Sequence, residues 1–444
     1  MFSTRIFAGA GVAVVGVVVW LALGVFSAIG APSAATVTVP PPPGEPTLAP
    51  TIATRSTTRL YGTDPYQEAV SVTQHIWPAA LSKTTDEQGG QDRPRAVTLL
   101  TPDDPLTAIT AAPLIHFPDD APVLYVTGSG VPEVTQSEIQ RLGPLGIARH
   151  NNVEAFLVGH AANQGVESQL SSLGIKWEAV TAPTIPDLAN KVDQLYSSIE
   201  NPDTGVANMD NGAYDVVIGS LDGKDYQYLL PATHWVAHMA TGLFWVNRDS
   251  VPAATIDALK RRGGQAHIYL FGGPGQISST VAGKLAQYGS VVRVTNDDFV
   301  GHNAPPTDSP ALTALAFTKM WDGAGEMGWK MTGPGHGFTL VNIDDWQGAI
   351  ASSPLSHLGF HAPLLLTDSA STLPPDLDAF FKSVEPTFLF SPADGPYNMT
   401  FVLGSWDQVS WGEQVTVDAD SEMGNRRAVD LNTGSTYASS QPAP

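Results

Sequence analysis

The chain has 444 residues, of which 15% are charged, with a formal net charge of −21 and no cysteine. That balance repels nucleic acid and anionic lipid and excludes both as general partners. The missing thiols exclude disulfides, thiol catalysis and cysteine-ligated metal.

Read from the N-terminus, residues 1–5 form a short head whose Arg5 is the nearest base to the uncharged run Ile6–Ile29. At about 1.5 Å per helical residue, 6–29 spans a bilayer core of roughly 30 Å. It exceeds the apolar core of a cleaved signal peptide, about 7–15 residues, and so predicts a retained transmembrane helix with 1–5 in the cytoplasm. Small residues at Ala31-Pro-Ser-Ala34-Ala35 leave cleavage open. Segment 30–57, with Pro40-Pro-Pro-Pro-Gly-Glu-Pro46, predicts an extended linker of polyproline type.

A repeat then occupies 58–174, 175–289 and 290–418. Each copy opens with a short strand, a turn and a helix. In the first copy that helix is Tyr66–Trp77, with Ala69, Val70, Thr73 and Ile76 on one face. In the third, Asp308-Ser309-Pro310 supplies a cap and an N1 proline. A largely apolar strand follows in each, interrupted only by Thr98 and Thr339: Val97–Leu100, Val216–Ile218 and Phe338–Val341. Such runs suit a parallel strand covered on both faces. An acidic loop leads to a proline helix at Ala112-Pro113-Leu114, Leu230-Pro231-Ala232 and Ser353-Pro354-Leu355. Next come the strands Val123–Val126, Leu243–Val246 and Leu364–Leu366, then helices opened by Pro132, Pro252 and Pro374. Each copy closes on a strand ending in glycine: Phe156-Leu-Val-Gly159, Tyr269-Leu-Phe-Gly-Gly273 and Phe401-Val-Leu-Gly404. The alternation predicts an α/β fold of three units with parallel sheets, each near the size of an independently packed core. A whole unit used three times argues for a binding scaffold rather than one catalytic centre. Segment 419–444 is polar, lacks an apolar period and predicts disorder.

Several constellations bear on chemistry. Gly272-Gly-Pro-Gly275 follows a strand, but Ser278 stands where a dinucleotide loop has its last glycine, so it reads as a turn. His234 and His238 have the i, i+4 spacing of zinc ligands, without the glutamate of a metalloprotease or a nameable third ligand. Asp104, Asp222 and Asp345 lie at equivalent loop ends, where helix capping competes with binding of calcium or sugar hydroxyls. No metal, cofactor or catalytic residue is assigned. Arg59 and Asp64 share their five-residue separation with Arg293 and Asp298. These pairs either close structural turns or meet phosphate or carboxylate groups of a ligand.

Arg59-Leu-Tyr-Gly62-Thr-Asp64-Pro65-Tyr66, Ala112-Pro113-Leu114 with Ala121-Pro122-Val123, Ala362-Pro363-Leu-Leu-Leu-Thr367 and Tyr269-Leu-Phe-Gly272-Gly273 with Ile277-Ser278 are together informative. In these motifs the chain resembles the cell wall-binding repeat type 2 family of Gram-positive surface proteins. Pro65 replaces the second basic residue of the opening motif, and Val180-Thr-Ala-Pro-Thr-Ile-Pro186 stands in its place in the second copy. The resemblance implies three Rossmann-like repeats in a pseudo-threefold arrangement and non-covalent attachment to an anionic cell-wall polymer of teichoic or related type. The expectation is a non-enzymatic, membrane-anchored, extracytoplasmic protein that binds wall polymer. Arg59, Asp64, Tyr66, Arg293 and Asp298 are its ligand-contacting residues, and the second copy is the weakest. An envelope hydrolase acting on wall glycans, or a protein scaffold using Trp406 and Trp411, are the alternatives.

Overall fold

A computed structural model describes residues 50–80, 92–207, 214–296, 305–388, 391, 393 and 395–425. The expected membrane anchor, Ile6–Ile29, lies outside them. Among the described residues no helix is long and apolar enough to cross a membrane.

The folded body opens with an antiparallel pair, β1 (Thr51–Ala53) and β2 (Thr57–Leu60), and then α1 (Pro65–Ile76). The first unit continues with β3 (Val97–Leu100), α2 (Pro105–Ala111), β4 (Val123–Tyr125), α3 (Glu133–Leu142), β5 (Ala155–Val158) and α4 (Gln164–Ser172). Strand β6 (Trp177–Val180) and α5 (Ile185–Glu200) lead into β7 (Tyr214–Ser220), α6 (Leu230–His238), β8 (Gly242–Val246), α7 (Ala253–Arg261), β9 (Ala266–Leu270) and α8 (Ser279–Leu285). Strand β10 (Gly289–Arg293) and α9 (Pro310–Lys319) precede β11 (Gly337–Asn342), α10 (Trp346–Ala351), β12 (Leu364–Thr367) and α11 (Pro375–Ser383). The last elements are β13 (Thr387–Phe388), β14 (Met399–Leu403), α12 (Trp411–Ser421) and β15 (Gly424–Asn425), the last parallel to β13.

Three parallel sheets result, ordered β4-β3-β5-β6, β8-β7-β9-β10 and β12-β11-β14-β2. The predicted α/β alternation is present, but sheets and sequence repeats are offset by one strand. The strand that opens each copy joins the sheet of the copy before it. In the third sheet that place is taken by β2 from the start of the body, with Arg59 opposite Val402 and Leu60 opposite Leu403. Strand β1 lies on the outer side of β2, inside the segment expected to be linker.

The proline segments explain why the units are not separate domains. Ala112–Ile115 and Ser353–Ser356 are 3-10 turns, α6 carries Pro231, and all three pack against one another. One continuous apolar core runs through all three sheets, with a smaller cluster around Phe338, Phe380 and Phe381. Polar contacts cross the unit borders. Trp245 Nε1 donates to Thr110 Oγ1 at 2.8 Å, Tyr125 Oη to Gln347 O at 2.8 Å, and Gln227 Nε2 to Ile343 O at 3.1 Å. Buried groups of this kind are costly to leave unpaired, so each border is specified as well as packed.

Helix α12 runs past the start of the expected disordered tail. Its Asp418 accepts from Ser56 N at 2.7 Å and Thr54 Oγ1 at 2.5 Å, tying the C-terminal helix to the opening hairpin. Long-range bonds of this sort leave no trace in local polarity, on which the tail reading rested.

Candidate binding site at the sheet ends

In each sheet the first and third strands of a unit lie side by side, and the chain leaves them in opposite directions. The crevice beyond their C-terminal ends is where open α/β sheets place ligands. The closing glycines stand there in a left-handed conformation, with φ +61° at Gly159, +107° at Gly272 and +89° at Gly404. Only glycine adopts this backbone without strain, which accounts for the repeated signature. It also makes the cluster at Gly272–Gly275 a turn, with Gly273 N donating to Gln276 Oε1 at 3.1 Å.

The repeated arginines belong to this turn. Arg59 Nη1 donates to Gly404 O at 2.8 Å and Nη2 to Val409 O at 2.6 Å. Arg293 makes the same pair of contacts, to Gly272 O and to Ile277 O, the latter at 2.8 Å. Arg59 also donates from Nε to Gln414 Oε1 at 2.9 Å, and its guanidinium lies 4.1 Å from the Trp406 ring. Its side chain is fully buried, and burial lowers its pKa to about 10, so it stays charged at neutral pH. Arg293 is half-buried, and burial lowers its pKa as well. Ala179 occupies the matching position on β6, opposite Leu157, so the first sheet lacks the clamp.

Of the other expected contact residues, Asp64 caps α1 by accepting from Gln67 N at 3.0 Å. Tyr66 is half-buried, and burial, followed by the charges of Asp64 and Asp103, raises its pKa. Asp298 lies outside the described residues. The structure therefore sets Arg59 and Arg293 at equivalent points of two different sheets, each holding a glycine turn. Sheet assignment moves the unequal member to the first sheet, because Val180–Pro186 begins at the last residue of β6. Asp104 and Asp345 cap α2 and α10, accepting from Thr107 N at 3.1 Å and Gly348 N at 3.0 Å. Asp222 instead accepts from Arg248 N at 2.8 Å.

The three crevices differ. In the third, Gln408 folds over the glycine turn, accepting from Ser405 N at 2.7 Å; Asp345 lies beside Gly404 and next to Glu68, and Glu413 is buried on α12. Burial, and then the charge of Asp345, pushes Glu68 well above the usual carboxylate range; burial raises Asp345 too, and Glu413 to about 7. All three carboxyls are closed to solvent. In the second, Gln276 takes the same place as Gln408. In the first, no arginine or glutamine among the described residues lines the crevice, and a cavity of about 390 Å³ remains, lined by Asp104, Thr107, Gly159, His160, Thr184 and Leu188 among others.

Sequence reasoning singled out neither Glu68 nor Glu413, and local sequence carries no sign of their burial. It also passed over a legible signal, a histidine three residues after each repeat proline: His116, His234 and His357. His234 is buried, its ring nitrogens near Ala362 O at 2.9 Å and Ala349 O at 3.2 Å, which gives it a packing role. Among the described residues no group of three or more His, Asp or Glu is placed to hold a metal ion.

No family model and no curated protein matches the chain. Solved structures do. Cwp6 from Clostridium difficile aligns with a TM-score of 0.60 at 16% identity, over 82% of this chain and 47% of its own. Cwp8 from the same organism aligns with a TM-score of 0.57 at 16% identity, over 82% of this chain and 51% of its own. The chain thus spans about half the length of these structures, and the likeness is one of fold.

Proposed function

We propose that this protein is a non-enzymatic, extracytoplasmic wall-binding protein, anchored by Ile6–Ile29, whose three-unit body holds a cell-wall polymer. The observation that carries the reading is the fold shared with the cell wall proteins Cwp6 and Cwp8 across 82% of the chain. The motif resemblance to the wall-binding repeat family points the same way. The polymer lies along the sheet ends. The open crevice of the first sheet offers Asp104, His160 and Thr184 to sugar hydroxyls. Arg59 and Arg293 act by holding the glycine turns, and Asp64 and Tyr66 follow β2 at the same end of the third sheet. Burial of Glu68, Asp345 and Glu413 supports binding over hydrolysis at this sheet end, because all three carboxyls are closed to solvent.

The full chain in detergent should sediment with purified cell walls and lose that behaviour once the secondary polymer is extracted. Failure to sediment, or equal sedimentation with extracted walls, refutes the reading. The scaffold alternative draws on Trp406 and Trp411, 37% and 49% exposed and meeting edge-on at 5.7 Å. It predicts that Trp411→Ala disturbs a protein partner and leaves wall binding intact.

A further inference from the structure

A second cavity, away from the sheet-end crevices, is built by the segment between α9 and β11. It measures about 550 Å³, within the roughly 300–1,000 Å³ of small-molecule sites. Trp321 and Trp329 come from that segment, Trp235 and His238 from α6, and Phe360 and His361 from the turn before β12. Trp235 and Trp329 meet edge-on at 5.2 Å, and Trp329 stacks on His238 at 5.1 Å with an interplanar angle of 27°. Gly328, Gly335 and Gly359 also line the cavity, with φ of +104°, +98° and +90°, a backbone that favours glycine.

We infer that this cleft is a subsite for one neutral pyranose unit, its C–H face laid on tryptophan and its hydroxyls turned to ring nitrogens and Glu326. A pyranose has an apolar face and a polar edge, and an indole wall with polar groups beside it matches both. Among the described residues Trp235 Nε1, Trp329 Nε1 and His238 Nδ1 have no hydrogen-bond partner, and Trp235 is 3% exposed. A hydroxyl oxygen admitted by a small side-chain shift would serve these nitrogens. A quaternary ammonium would use the aromatic faces but offers no lone pair to them. An anionic sugar would meet Glu326, and Lys330 is held 5.7 Å from the Trp321 ring. Burial lowers His238 to about 3 and lowers His336, so neither adds positive charge. The inference rests on the wall-polymer reading for the source of the sugar, while its chemistry stands on the cleft alone.

The test titrates the full chain in detergent with the methyl glycosides of glucose, galactose and mannose, with N-acetylglucosamine, and with choline as the cationic control. Binding is read by tryptophan fluorescence and by saturation transfer to ligand protons. At least one pyranose should bind saturably, with transfer strongest at its ring C–H protons. Trp329→Ala and Trp321→Ala should each weaken it by about tenfold or more. Trp321 is half-exposed, so its variant decides the matter if Trp329→Ala fails to fold, with circular dichroism as the check. No saturable sugar binding, choline binding in place of sugar, or unchanged sugar affinity in folded Trp321→Ala each overturns the inference. Loss of sugar binding with wall sedimentation intact removes this subsite alone. Sugar binding without sedimentation removes the wall reading and leaves the subsite standing.

Discussion

Replacing Arg59 by alanine separates a ligand contact from a turn clamp. The wild-type guanidinium is fully buried and donates to Gly404 O, Ser405 O, Val409 O and Gln414 Oε1 at 2.6–3.2 Å. Removing it leaves several buried acceptors unsatisfied, each worth about 1–3 kcal/mol. Water entering the space vacated beside half-exposed Trp406 recovers part of that, so the expected net loss is about 3–5 kcal/mol, the usual cost of breaking a buried charged network. Arg293→Ala removes the same two turn contacts from a half-buried site and should cost less, about 1–2 kcal/mol. Urea denaturation followed by tryptophan fluorescence measures both. The clamp argument fails if Arg59→Ala stays within about 1 kcal/mol of wild type. If that variant is stable and no longer sediments with walls, Arg59 is a ligand contact after all.

Other expectations follow from the same geometry. Glu413 has a folded pKa near 7, above its ordinary 4.5, so its contribution to stability is fully present below about 4.5 and is lost as pH rises to about 7. That loss is about 3 kcal/mol, and Glu413→Gln should flatten it; equal wild-type and variant slopes in denaturation between pH 4.5 and 8 would show the group does not titrate there. Gly404→Ala forces a side chain into φ +89° with its Cβ 2.5 Å from Gln408 Oε1, and should destabilise by about 1–3 kcal/mol. Gly275→Ala, with nothing within 4 Å and no positive φ, should stay within about 0.5 kcal/mol; similar losses from both variants would contradict the turn assignment. Deleting residues 1–60 removes β2 and bares the β14 edge, so the truncated chain should self-associate by size-exclusion chromatography. A Thr51–Leu60 peptide should reverse this, and a monomeric truncation would show that β2 is dispensable.

Local pattern alone was enough to find the parallel strands and the helices between them. The core of β7 is an unbroken apolar run, Val97–Leu100 and the core of β11 are interrupted only by Thr98 and Thr339, and α1 carries Ala69, Val70, Thr73 and Ile76 at helical spacing. The closing glycines were legible as well, because a left-handed turn admits little else. Periodicity reports which face of a strand is apolar and is silent about the edge that strand joins. Only the assembled body decides that β2 completes a sheet whose other parallel strands begin at Gly337, or that the copies share one core through their proline turns. The same limit explains the site. Arg59 reads as a polar motif residue in sequence, yet its strand ends up inside the third unit, where nearby carbonyls take its donors. Glu68 sits on a helix like any surface glutamate until α10 brings Asp345 against it. Burial is a property of what packs over a residue, and for both side chains the covering elements lie hundreds of residues away.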